Sequence, residues 1–105
     1  MDQNKVIITV VGKDTVGIIA RICTYLADNG VNVLDITQTI VQGFFNMMMV
    51  VDITSGSKPF GDLQKDLEKL GDEIGVQIKA QKEDIFNAFK PLNIPLKTYS
   101  KFDKN

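Results

Sequence analysis

The residues with the most evident chemistry lie in one short stretch, Gly12-Lys13-Asp14-Thr15-Val16-Gly17, between a β-branched run and a helical stripe. A strand-to-helix loop that ends on glycine presents the main-chain N–H groups of the helix's first turn. Those donors have no carbonyl within their own helix, and with the helix dipole they favour a carboxylate. Gly17 has no Cβ, so a ligand or another backbone can approach closely there. Asp14 can accept a hydrogen bond from an ammonium group, and Asn32, further along, carries both a donor and an acceptor. An α-amino acid has the two ends that such groups would hold. Each residue also has a plainer reading: Asp14 as a helix cap, Gly17 as a point of close helix–sheet packing, Asn32 as the exit of a turn.

Composition removes most other chemistries. The 105 residues include no histidine and one cysteine, Cys23. That takes away the usual general base, the Ser-His-Asp and Cys-His arrangements, and the commonest metal ligand. The expectation is therefore a chain that is not an enzyme and that needs no metal or cofactor. An acylphosphatase-type hydrolase would need a phosphate-holding arginine in the loop, and the single arginine, Arg21, falls in the helical stripe instead. Twelve basic residues against thirteen acidic ones provide no general attraction to nucleic acid. Phe44 and Phe45 lack the Lys/Arg-Gly-Phe context of RNA-binding strands. No run of 18 apolar residues is available to span a membrane, and the first residues have no signal-peptide character, so the expected location is cytoplasmic.

The elements that would position the loop follow from hydrophobic spacing. Val6–Val11 is a β-branched run that reads as a strand buried on both faces. Ile18, Ile19, Ile22, Cys23 and Leu26 recur at helical spacing up to the stop at Asn29-Gly30. Strands follow at about 31–41 and 44–53, joined across Gln42-Gly43. Pro59 opens a second helix whose stripe is Phe60, Leu63, Leu67, Leu70 and Ile74. Val76, Ile78 and Ala80 alternate with polar residues as a fourth strand. The order βαββαβ predicts an α+β, ferredoxin-like sandwich: a four-stranded antiparallel sheet with both helices on one face and the first and third strands central. Residues 1–90 form the domain, with a short helix at Asp84–Phe89. Residues 91–105, which contain Pro91 and Pro95 and carry a net charge of +2 against −3 for the rest, are expected to be a loosely packed or disordered tail.

With this order, the loop Gly12–Ala20 and the Asn29-Gly30-Val31-Asn32-Val33 segment resemble the ACT domain, the small-molecule-sensing module of amino-acid metabolism. Ile36-Thr37-Gln38-Thr39, Phe44–Met48 and Asp84–Asn87 are closer still to small stand-alone ACT proteins of bacteria and archaea. The likeness covers about residues 5–89. It implies a homodimer that binds an amino acid between this loop and the early second strand of the partner subunit. Carried over residue by residue, the site falls on Asp14, Gly17 and Asn32, with Thr15, Val16 and Ile18 giving backbone or wall contacts and Gln38 as a further candidate.

A second argument for pairing is independent of the resemblance. The third strand is apolar on both sides through Phe44–Ile53, and the helices can cover only one of them. The second strand is divided into Leu34, Ile36 and Ile40 on one side and Val33 and Val41, among threonines, on the other. The uncovered remainder exceeds what monomers usually expose, which favours a twofold dimer, the alternative cover being the chain's own tail. The function expected is a non-catalytic regulatory module that senses a small metabolite and signals to a separate protein. The rival is a ligand-free interaction or dimerisation module.

Overall fold

The computed structural model describes residues 4–13 and 16–83. The elements are β1 (Lys5–Lys13), α1 (Ile18–Asp28), β2 (Asn32–Val41), β3 (Phe44–Asp52), α2 (Phe60–Ile74) and β4 (Val76–Lys82). All strand pairs are antiparallel, in the order β2-β3-β1-β4, so β1 and β3 are central and the ferredoxin-like α+β architecture is realised. Asp14 and Thr15, the expected helix at Asp84–Phe89 and the division into a 1–90 domain and a 91–105 tail lie outside the described residues.

The core sits between one sheet face and the helices. Val6, Ile8 and Val10 of β1, Phe45, Met47, Met49 and Val51 of β3, and Val76, Ile78 and Ala80 of β4 meet Ile18, Ile22 and Leu26 of α1 and Leu63 and Leu67 of α2. Cys23 is half-buried and packs against this cluster, as a small hydrophobe does. Two-sided burial of β1 ends sooner than its composition implies: Ile7 is 4% exposed but Val11 is 45% exposed.

Local chemistry sets the connections. Gly30, at φ 72°, closes α1 with paired bonds, Gly30 N–H to Ala27 O (3.1 Å) and Val31 N–H to Leu26 O (2.9 Å). This is the Schellman pattern, and it needs a residue that accepts positive φ. A side chain there would also meet Ser55 O at 2.8 Å. Gln42 and Gly43 have φ of 55° and 82°, the two-residue turn whose twist matches the strands it joins.

The register of β2 corrects the face assignment made from alternation. A bulge between Val33 and Asp35 adds one residue, so parity inverts along the strand. Val33, Ile36, Gln38 and Ile40 are opposite Val51, Met49, Met47 and Phe45 and so lie on the helix side. Asp35, Thr37, Thr39 and Val41 take the open side. The helices do not reach far across this edge strand: Ile36 is 39% and Ile40 56% exposed on the covered side, and Val41 is exposed on the other. Within the described sheet, the exposed large apolar side chains are therefore gathered on β2 together with Phe44 and Val11, rather than spread over a whole face.

Candidate functional site

Two close approaches shape the end of β1 where the loop begins. Gly12 pairs with Val76 across the β1–β4 ladder, and a Cβ on it would be 2.7 Å from Val76 Cγ1. Close packing is thus required at Gly12. Gly17 has a different role: among the described residues a Cβ there would meet nothing within 4 Å, but φ is 89°, in the left-handed region. Gly17 is the N-cap of α1, and its carbonyl accepts from Arg21 N–H at 2.9 Å. The amides of the first turn precede the first intrahelical acceptor, and no acidic residue stands in that turn. Among the described residues, no side chain caps the helix. Among the described residues, the result is an open space at a positive helix end, beside a fully exposed Val16.

The other expected residues are spread across the fold. Ile18 is 2% exposed and belongs to the core, so only its backbone can face a ligand. Asn32 is exposed at the start of β2 and pairs with Asp52, at the opposite end of the sheet from Gly12 and Gly17. The eleven residues of α1, about 16 Å of helix, separate Gly17 from that end. Gln38 is exposed in the middle of β2. One chain thus brings Val16 and Gly17 together but not Asn32 or Gln38 with them.

Gln38 borders a feature that sequence reasoning did not single out, a trough of about 250 Å³ on the sheet. Thr9, Thr37, Thr39 and Asn46 surround Met48 there. The signal was partial. Thr37 and Thr39 share a face by alternation, but their grouping with Thr9 and Asn46 depends on two cross-strand registers.

On the helical side, polar contacts tie the elements together. Asp66 Oδ2 accepts from Lys58 Nζ and from Tyr25 Oη, each at 2.5 Å. These bonds, the Lys58 donor first, hold the Asp66 carboxyl below the usual carboxylate range. Burial, then the adjacent Asp66, pushes the Tyr25 hydroxyl upward. Lys58 also lies 5.9 Å from the centre of the Tyr25 ring, and Arg21 pairs with Glu73 at 3.1 Å. These contacts join α1, α2 and the loop before α2, which is a structural task. Among the described residues no cluster of three His, Cys, Asp or Glu side chains could hold a metal, and no helix is long and apolar enough to cross a membrane.

Comparison with known proteins bears on this arrangement. The ACT domain family model matches residues 4–81. The UPF0237 protein of Bifidobacterium longum is 64% identical over 84 residues, which are 80% of this chain and 93% of that relative. The UPF0237 protein of Methanocaldococcus jannaschii is 48% identical over the same shares. Among solved structures, an ACT domain protein from Streptococcus pneumoniae superposes with a TM-score of 0.70 at 40% identity, covering 78% of this chain and 92% of that one.

Proposed function

Because this chain belongs to the ACT domain family, whose members are generally regulatory, ligand-binding modules, we propose that it is a non-catalytic sensor that binds an amino acid or similarly small metabolite at the interface of a homodimer. The observation that carries this reading is the opening of α1: a left-handed Gly17 with free space beside it among the described residues, and a first turn without acidic residues. A ligand carboxylate fits those amides, and the exposed Val16 supplies an apolar wall.

The distance between Gly17 and Asn32 is then the reason for the dimer. β2 is an edge strand with apolar side chains exposed on both faces. Two copies pairing antiparallel through the middle of β2 would bring the start of one β2 against the end of the other. Asn32 of the partner subunit would then arrive at the end of the sheet that holds Gly17. Asp14 and Thr15 belong to the same loop, with Asp14 as the acceptor for the ligand ammonium and Thr15 a backbone contact. Gln38, at the centre of the seam, completes the site from the side. Ligand binding acts by favouring one dimer arrangement, and a separate cytoplasmic protein reads it.

An amino acid of about five to nine heavy atoms, at roughly 1 kcal/mol per atom, reaches dissociation constants from high micromolar to below micromolar. Thermal-shift and calorimetric titration against the common amino acids tests the reading directly. One of them is expected to raise the melting temperature at about 10 mM, since ligand at a hundred times Kd adds about 2.7 kcal/mol. The Gly17→Val protein is expected to lose that rise. No stabilisation by any of them leaves the ligand-free dimerisation module as the better account.

A further inference from the structure

The open face of the sheet is not uniformly bare. Ile7 points away from both helices and stands outside the core cluster they form, yet it is 4% exposed. Its cross-strand neighbours are Val50 and Gln81, each half-buried. Further along the same face, Val11 and Phe44 are about half exposed. Neighbours within a sheet shield the flanks of a side chain and leave its top to water, unless something lies across it. The shielding is found within a single chain and at one end of the face only. A second copy is therefore not needed to explain it.

We propose that the C-terminal segment, residues 84–105, lies across this half of the open face, over Ile7, Val50 and Gln81. Three observations choose this occupant. β4 ends at Lys82, paired with Val6, so the chain leaves the fold beside Ile7. The chain continues for 24 residues after the family match ends at residue 81, and it is longer than the Bifidobacterium longum relative, of which 84 aligned residues make up 93%. The segment carries Ile85, Phe86, Phe89, Leu92, Ile94 and Leu96, far more apolar surface than a solvated tail needs. Strands about 4.8 Å apart are crossed by a few residues, so length is no obstacle. Docked there, the segment closes the open face to a second copy and leaves the β2 edge as the surface for pairing.

The full chain contains no tryptophan, so Phe89→Trp places a single reporter in the segment. Its emission is expected to be blue-shifted from that of N-acetyl-tryptophanamide and unchanged on dilution. Adding Val50→Lys, or the milder Gln81→Lys if circular dichroism shows Val50→Lys to be unfolded, is expected to return the emission to the solvated position. Ile36→Lys, on the β2 edge, is expected to leave it in place. Solvated emission in the single variant overturns the proposal. A blue shift that dilutes away, or that answers to Ile36→Lys and not to the open-face substitutions, places the segment on another copy or on the wrong surface and overturns it equally. None of these outcomes depends on whether an amino acid binds near Gly17.

Discussion

Gly12 and Gly17 are five positions apart, and each is a glycine for a different reason. At Gly12 the constraint is volume: a methyl group would press on Val76 at 2.7 Å, with the β4 backbone directly behind it. Gly12→Ala is therefore expected to cost about 1–3 kcal/mol, read as a lower midpoint in urea denaturation with unchanged slope. At Gly17 the constraint is conformational: φ is 89°, and no described residue occupies the space a side chain would take. Asp66 accepts from both Lys58 and Tyr25, so its protonation bears on the contacts between the helices. Its carboxyl is held below the usual carboxylate range, so its contribution is present at neutral pH and is lost as pH falls through the lowered folded value. Wild type and Asp66→Asn should differ in stability at pH 7 and converge in strong acid. An unchanged gap at the lowest pH would contradict the assigned hydrogen bonds.

At the scale of elements, β2 is the least settled part of the sheet. Among the described residues it has a partner on one side only; it also carries a bulge and exposes apolar residues on both faces. Edges of this kind are pairing surfaces unless charge or proline protects them, and here the only charged residue is Asp35. In the proposed dimer, Ile36→Lys with Ile40→Lys is expected to shift sedimentation from dimer to monomer at micromolar concentration. Because both side chains are already substantially exposed, the monomer should keep its secondary structure. A wild-type chain that sediments as a monomer would remove the β2 seam altogether. The helices contrast with this edge: the apolar stripe of each lies against the sheet, and the Tyr25–Asp66–Lys58 contacts join their outer surfaces.

At the scale of the whole molecule, the fold is a domain with one well-filled layer and an unequal sheet exterior. The filled layer is the familiar sandwich interior of three strands and two helices. The exterior divides into a shielded end at Ile7, a threonine-lined trough around Met48, and an apolar edge at β2. Under the proposals above, these separate surfaces would serve a ligand, a second copy and the chain's own C-terminal segment.

The element order, both helical stripes, the stop at Gly30 and the β2–β3 turn were legible in the chain because each depends on residues close in sequence, through 3.6- or 2-residue periodicity and local φ preferences. Gly17 stood out for the same reason, as a glycine at the mouth of a helix. What needed the tertiary structure was everything governed by register. A single extra residue at Leu34 inverted the faces of β2, since side chains alternate with period two. The burial of Ile18, the tight contact at Gly12, the gathering of Thr9 with Thr37, and the distance of Asn32 from Gly17 depend on strands far apart in sequence. Local preference carries no information about which residue on another strand lies opposite, and that pairing decides where a side chain of known chemistry is placed.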